Sequence, residues 1–172
     1  NTLIKPIDRS GARGVYLIEK NSKYTYIKKY FKKTKSVTSK SKIIAEEFLT
    51  GIQISTESII YNNRIKTIAF ADRNYEHLTT FKPRIIENGG TMPSKLSLNE
   101  KKKIDKVLLK VAQALKISNG TIKGDIVIHK KRIYVIEVAY RLSGGDFSES
   151  LIPLNTGIDF IGMALRQCVG DK

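Results

Sequence analysis

The sequence predicts an α/β (α+β) fold in two lobes, built from mainly antiparallel strands and packed helices. Segments rich in Ile, Val and Tyr, typical of strands, alternate with segments whose apolar residues recur every three or four positions, as in helices. Short polar turns join neighbouring strands into hairpins. Gly51 separates two strand-like stretches and indicates a hinge, so we expect lobes of residues 1–50 and 51–172.

The first lobe is predicted to contain three strands and one helix. The strands Leu3–Pro6 and Val15–Ile18 flank a loop, Asp8–Gly14, that is rich in glycine, serine and arginine. Such a loop could wrap backbone N–H groups around phosphate oxygens, although it lacks the P-loop and dinucleotide fingerprints, and a plain hairpin turn is the alternative. Ser22–Ser36 is predicted to be a helix and Ile43–Leu49 a strand. The predicted apolar face of the helix consists of Tyr24, Ile27, Tyr30 and Phe31.

The second lobe is predicted to contain two hairpins and two helices. Ser58–Tyr61 and Ile65–Phe70 flank an Asn-Asn turn and form the first hairpin. Ser97 and Glu100 form a capping box, which marks the start of the first helix. The last helix covers Asp159–Val169. The first helix has a predicted buried stripe of Ile104, Val107, Leu108, Val111 and Leu115.

The second hairpin carries one carboxylate in the middle of each strand. Asp125 lies in Thr121–Ile128, and Glu137 lies in Ile133–Tyr140. A three-residue loop would pair positions 125 and 137 on one face, whereas a two- or four-residue loop would pair 125 with 136 and separate the acids. If the acids meet, their like charges need a cation between them, or one of the two acids must be protonated. A divalent ion bound to phosphate is one interpretation, and an ion-pair cluster with neighbouring Lys and Arg is the other.

Composition restricts the class of partner. The formal net charge is +15, which favours anionic partners such as nucleotides, nucleic acids, acidic lipids or acidic substrates, although a solvated lysine-rich face is the alternative. The single cysteine cannot form an internal disulfide and agrees with a cytoplasmic location. The two histidines form neither a zinc motif nor a nucleophilic triad. No apolar stretch reaches the roughly 18 residues of a membrane span, so no membrane partner is expected.

The order of these motifs resembles the ATP-grasp superfamily over nearly the whole chain. A strand with Lys-Pro precedes a glycine loop, a basic helix, a strand ending in EEFLTG, a capped helix, and a hairpin with paired acids and an ExxxR ending. The sequence is most similar to carbamoyl-phosphate synthetase large chains, biotin carboxylase and L-amino-acid ligases. The resemblance implies a nucleotide site between the two lobes. It also implies an ADP-forming ligase that activates a carboxylate as an acylphosphate for attack by an amine or a thiol.

The resemblance also implies ATP and Mg²⁺ (or Mn²⁺) as cofactors and a set of nucleotide-binding residues. Lys5 matches a lysine that contacts the phosphates, and Gly11 and Gly14 match the loop that closes over them. The Glu46 carbonyl and the Leu49 amide match the backbone groups that read the adenine edge. A ribose-contacting glutamate of many relatives is replaced by glutamine here. The predicted set is Lys5, Arg9, Ser10, Gly11, Gly14, Glu46, Glu47, Phe48, Leu49 and Gln53.

The metal and phosphate residues implied by the resemblance lie in the second hairpin. Asp125 and Glu137 match the two metal-ligand positions. Arg141 matches a catalytic arginine that meets the transferred phosphate or the acyl phosphate. The predicted substrate-side residues are Ser143, Gly144 and Gly145.

Two departures from the family pattern bear on this interpretation. Many relatives carry Asn two residues after the second acid, where this chain has Ala139, which leaves open whether one or two metal ions bind. Relatives also have an N-terminal domain and a further phosphate-contacting lysine before the Lys-Pro strand, so we expect this chain to be a piece of a longer protein. An ATP-binding module without catalysis is one alternative function. A basic nucleic-acid-binding domain is another, although its reading motifs are absent and the tyrosines are scattered.

Overall fold

The computed structural model of the chain describes residues 1–40 and 42–171, which form two compact units. Unit 1 consists of Asn1–Leu49 and Asn74–Gly89, and unit 2 consists of Thr50–Arg73 and the chain from Gly90 onward. The strands are Thr2–Pro6 (β1), Tyr16–Ile18 (β2), Ile43–Glu47 (β3), Ile52–Tyr61 (β4), Arg64–Arg73 (β5), Gly90–Thr91 (β6), Gly120–His129 (β7) and Arg132–Ala139 (β8). The α-helices are Tyr24–Val37 (α1), Leu98–Ala114 (α2), Ile152–Thr156 (α3) and Phe160–Cys168 (α4), and Phe147–Leu151 forms a π-helical turn.

The predicted fold class is confirmed, because both sheets are antiparallel and both units contain helices. No helix in the described part of the chain is long and apolar enough to cross a lipid bilayer.

Unit 1 contains a three-stranded sheet with the order β2-β1-β3 and the helix α1. The predicted apolar face of α1 is wrong as a buried face. Thr34 is the buried residue of this helix, whereas Tyr24, Ile27 and Phe31 are 73%, 37% and 45% exposed. The sheet has strands of only three to five residues, which is too small a surface to cover a helix of four turns. The third strand also ends at Glu47, two residues earlier than predicted.

Unit 2 contains a five-stranded sheet with the order β6-β5-β4-β7-β8. The helix α2 covers one face of this sheet, where Ile104 and Leu108 pack against Ile54 and Ile126. The predicted capping box at its start is confirmed, since Ser97 and Glu100 each bond to the other's backbone N–H. The predicted buried stripe of α2 is wrong at its end: Leu115 follows the helix as its C-cap and is 55% exposed.

The opposite face of the sheet is partly covered by the last helices. Ile152 of α3 and Phe160 of α4 are fully buried and pack against Ala69 of β5. Asp159 caps α4, with its side chain accepting a hydrogen bond from the Gly162 amide at 2.8 Å, so the predicted last helix is confirmed. The part of this face not covered by these helices carries the polar residues described below.

Gly124 allows α2 to approach the sheet closely, and this gives a first prediction. A Cβ atom at this position would lie 2.8 Å from Thr56 Oγ1 and 3.0 Å from Leu108 Cδ2. We expect Gly124→Ala to lower the free energy of unfolding by about 1–3 kcal/mol, because the core must shift to admit the methyl group. Urea denaturation measures this change. Gly144→Ala is the matched control, since nothing lies within 4 Å of its Cβ position. Equal effects of the two substitutions would contradict the close packing.

Candidate functional site

The polar face of the unit 2 sheet brings the predicted metal ligands together. Ser55 of β4 lies opposite Asp125 of β7, which in turn lies opposite Glu137 of β8. Ile54 and Ile126 pack under α2, and neighbouring residues of a strand point to opposite faces, so the three polar residues lie on the face away from that helix. The strand register thus places two carboxylates in adjacent strands at the same level of the sheet.

A β-bulge produces this pairing, which the loop-length argument alone did not predict. The turn contains only two residues, Lys130 and Lys131, with φ values of 48° and 63°. The regular ladder from this turn runs through the pair Ile126 and Val135, and it would place Asp125 opposite Ile136. The register shifts between Asp125 and Ile126, so that Ile136 is the extra residue and Asp125 faces position 137. The expectation that a two-residue loop separates the acids is therefore wrong.

The two acids have different surroundings. Asp125 accepts a hydrogen bond from Arg73 Nη1 at 2.9 Å and one from Ser55 Oγ at 3.1 Å, and it forms an ion pair with Lys123. Glu137 is exposed, and its carboxylate has no ion pair with residues 1–40 or 42–171. The same described residues contain no cluster of three or more potential metal-ligating His, Cys, Asp or Glu side chains. Neighbouring cations therefore neutralise Asp125, while the Glu137 carboxylate stays accessible.

Glu57 is a third carboxylate on this face, and the sequence reasoning did not single it out. It lies in β4 opposite Lys123 and is fully buried. One of its oxygens accepts a hydrogen bond from the Ser143 hydroxyl, and the other has no partner in the described part of the chain. Burial raises the pKa of Glu57 to about 7, against the opposing effects of the Ser143 hydroxyl and backbone N–H and of the Lys123 and Arg141 charges. The sequence signal that could have identified Glu57 is its position two residues after Ser55, which places both side chains on the same face of the strand.

The predicted phosphate and substrate residues follow β8. Arg141 is exposed, and its guanidinium donates to the carbonyl of the adjacent Leu142 at 2.9 Å. Ser143 is half-buried and bonded to Glu57. Gly144 and Gly145 have open space around their Cβ positions. This stretch therefore presents a cation and unobstructed backbone after the end of β8, and Ser143 attaches it to Glu57.

The predicted nucleotide residues from Lys5 to Leu49 lie in unit 1, and Gln53 lies in unit 2. Lys5 of β1 forms an ion pair with Glu46 of β3, with 2.5 Å between Nζ and Oε2. Their strands pair directly, so both side chains lie close along the sheet. The amine predicted to contact phosphate is thus held by a neighbouring carboxylate in this structure.

The glycine loop of unit 1 is attached to the end of α1. The Arg9 guanidinium donates to the Val37 carbonyl, and the Gly14 carbonyl accepts a hydrogen bond from Thr34 at 2.8 Å. Asp8 accepts hydrogen bonds from Ser39 and Thr38, which hold the pKa of its carboxyl far below its usual range. Between these attachments lie Ser10 and Gly11, and Gly11 has a φ of 64° with no atom near its Cβ position. The tip of the loop is therefore open, while its two ends are fixed.

The segment predicted to read adenine lies at a sheet edge. Within unit 1, β3 pairs with β1 on one side only, so the backbone groups on its other side remain outside the sheet. Glu46 and Glu47 end this strand, and the Phe48 amide donates to the Asn1 carbonyl at 3.0 Å before Leu49. Gln53 is half-buried in β4, opposite Arg73.

The family model of the ATP-grasp domain matches residues 1–145. The chain belongs to the ATP-grasp family. The family predicted from the order of the motifs is thus confirmed. A comparison with curated protein sequences gives no match.

Solved structures agree with this family. An L-amino acid ligase from Bacillus licheniformis is 21% identical with a TM-score of 0.75, over 96% of this chain and 38% of that one. The biotin carboxylase domain of a Hydrogenobacter thermophilus 2-oxoglutarate carboxylase, in complex with MgADP, is 14% identical with a TM-score of 0.76, over 99% and 37%. The D-alanine-D-alanine ligase from Coxiella burnetii is 13% identical with a TM-score of 0.73, over 98% and 45%. The chain therefore spans less than half the length of these proteins, and the likeness concerns the fold.

The burial of Glu57 predicts a pH-dependent stability. Burial raises its pKa to about 7 in the folded chain, above the ordinary 4.5 of a glutamic acid, so the folded state holds this proton more tightly. Between these pH values the stability falls as the pH rises, because the carboxyl must ionise in a buried position. We expect wild type to lose on the order of 3 kcal/mol relative to Glu57→Gln between pH 4.5 and 7.5. Urea denaturation at a series of pH values tests this. Glu149→Gln, at an exposed glutamate, should retain the wild-type slope.

Proposed function

We propose that the chain is a module of an ADP-forming ligase that uses ATP to activate a carboxylate as an acylphosphate for attack by an amine or a thiol. The observation that carries this proposal is the direct opposition of Asp125 and Glu137 on one sheet face of an ATP-grasp domain. Arg141 follows four residues after the second acid and is exposed. Two acids and an arginine in this order suit a metal-bound triphosphate.

The residues present fit one magnesium or manganese ion. Mg²⁺ is usually bound through one or two carboxylates together with waters and phosphate oxygens, which the accessible Glu137 and the opposed Asp125 would supply. Asp125 would exchange its contacts with Arg73 and Lys123 for the ion. Ala139 has no side-chain donor, which favours one ion over two.

Phosphoryl transfer depends on positioning and on neutralisation of phosphate charge, with little covalent help from the protein. When bound, the metal ion would supply part of that neutralisation. Arg141 would supply more, because its guanidinium is exposed and can direct several N–H donors at phosphate oxygens. The open backbone at Gly144 and Gly145 would accept the second substrate. We further propose that Lys5 would exchange Glu46 for a phosphate, and that Ser10, Gly11 and Gly14 would contact the phosphates through backbone N–H groups.

We also propose where the adenosine part of ATP would bind. The outer edge of β3, with Glu46–Leu49, would bind the adenine ring, and Gln53 would bind the ribose. Residues 1–50 and 51–172 would act as the two lobes of the ATP-grasp domain. The substrates would be a small carboxylate and a small amine, and the location would be the cytoplasm.

An ATP-binding module without catalysis is the second candidate. Two observations favour it: Asp125 is already neutralised by Arg73 and Lys123, and the position of the usual asparagine is Ala139. A site that holds its own cations at a metal-ligand position binds a metal ion less tightly. Binding and turnover therefore have to be measured separately.

The metal-ligand assignment predicts the behaviour of Glu137→Gln. We expect this variant to lose about 10-fold or more of the Mg²⁺-dependent part of its ATP affinity, because the amide cannot replace a carboxylate ligand. Titration calorimetry with ATP, with and without Mg²⁺, measures the difference. Glu149→Gln is the matched control and should bind as wild type does, since this glutamate is exposed outside the sheet. Unchanged Mg²⁺-dependent affinity in Glu137→Gln would contradict the assignment.

Turnover separates the two candidates. With a panel of amino acids as substrates, the whole ligase that contains this module should release ADP, and Arg141→Ala should lower that rate by roughly 10²–10³-fold, the usual effect of removing one charge-stabilising donor. Its Mg²⁺-dependent ATP affinity should also weaken, but by a much smaller factor. ATP binding by that whole protein without ADP release across the panel would favour the module without catalysis.

A further inference from the structure

The residues that follow β8, Arg141–Asp146, are here called the exit segment. They carry the arginine predicted to meet phosphate, and four of the six residues are exposed. Gly145 and Asp146 have positive φ values of 66° and 61°, and no atom lies near the Cβ positions of Gly144 and Gly145. Such a segment has many accessible conformations unless specific contacts restrict it.

Two contacts join the exit segment to the interior of unit 2. Leu142 packs against the cluster formed by Ala69, Ile152 and Phe160, and this apolar contact is not directional. The Ser143 hydroxyl donates to the Glu57 carboxylate. The Ser143 backbone N–H also acts on this carboxylate as a hydrogen-bond donor. Within residues 1–40 and 42–171, Ser143 is the only residue of the exit segment that bonds to a side chain of the sheet. It therefore fixes the orientation of the segment at one buried point.

In the described part of the chain, the residues of β5 and β7 that lie opposite Glu57 form no hydrogen bond with its carboxylate. From β7, the opposing Lys123 is engaged with Asp125, and from β5 the opposing residue is Ala69, which has no polar side chain. The second carboxylate oxygen of Glu57 has no partner in the described part of the chain. A buried carboxylate that is hydrogen-bonded by one serine and has an unpartnered oxygen contributes little to the stability of a fold. Residues that depart in this way from the rules that stabilise a fold are typical of functional sites.

We propose that Glu57 is a positioning residue, which holds the exit segment through Ser143 and so fixes the place of Arg141. This inference rests on the proposed function for the role of the arginine. The attachment at Ser143 lies two residues from Arg141, and in the described part of the chain no other residue of the segment bonds to a side chain of the sheet. The Glu57 carboxylate itself is fully buried and does not contact substrate.

Hydrogen exchange of the exit segment is the first test, and it requires no nucleotide. Glu57→Met keeps the length of the side chain without an acceptor, and Ser143→Ala removes the donor. Each should raise amide exchange within residues 141–146 by on the order of 10-fold, with no change in the β4 and β7 amides. The double variant should exchange no faster than Glu57→Met alone, because that substitution already removes the acceptor of every bond between the two residues. Glu57→Gln should keep wild-type exchange, since its amide oxygen still accepts from Ser143.

Ser148→Ala is the matched control for the exchange measurement. This hydroxyl is buried close by in sequence but has no hydrogen-bond partner in the described part of the chain. Its removal should leave exchange in residues 141–146 unchanged. Unchanged exchange in both Glu57→Met and Ser143→Ala would overturn the proposal, whatever the protein binds.

Nucleotide affinity is the second test. In titrations with MgATP, Glu57→Met and Arg141→Ala should each weaken binding, and the double variant should be no weaker than Arg141→Ala alone. Fully additive losses would overturn the positioning role, because the buried residue would then act independently of the arginine. If wild type fails to bind MgATP while the exchange results hold, the proposed function fails but the attachment of the exit segment by Glu57 stands.

Discussion

The pairing of β4 with β7 is the interaction on which unit 2 depends. Its register runs from Ile52 opposite Ile128 to Ile60 opposite Gly120 without interruption. Because side chains alternate between the faces of a sheet, this single register buries Ile54 beneath α2 and places Asp125 on the opposite face. A slip by one residue would bury the acids under the helix and expose the core. The hydrophobic core and the candidate site are therefore determined by the same set of hydrogen bonds.

The polar face shows how a sheet tolerates several charges in one place. Lys123 lies between two carboxylates, opposite Glu57 and paired with Asp125, and Arg73 adds a second cation. The cations offset part of the desolvation of Asp125. Glu57 is hydrogen-bonded by the hydroxyl and the backbone N–H of Ser143, and burial outweighs these bonds in its ionisation. An apolar residue at position 57 would fill the same space without this penalty, which is why a role outside stability is needed to account for it.

The sequence predicted those features that local signals determine. The capping box at Ser97 and the two-asparagine turn each depend on a few neighbouring residues, and both hairpins form as expected. Features that depend on distant partners were missed. The apolar residues of α1 have helical spacing, but a narrow sheet leaves Phe31 exposed. The hydrogen bond between Glu57 and Ser143 joins positions that are 86 residues apart, so no local sequence pattern predicts it. The metal-ligand roles remain predictions.

The extra residue Ile136 has a consequence for recognising related proteins. In a hairpin with the same turn and no bulge, position 136 would lie opposite Asp125. An acid at that position would form the same pair, with one residue fewer between the two carboxylates along the chain. The spatial relation of the acids is thus compatible with two different distances along the chain, because a bulge absorbs the surplus residue. A search pattern with a fixed interval between the acids would accept one kind of hairpin and reject the other. Alignments of this region should therefore be scored with a permitted gap in the second strand.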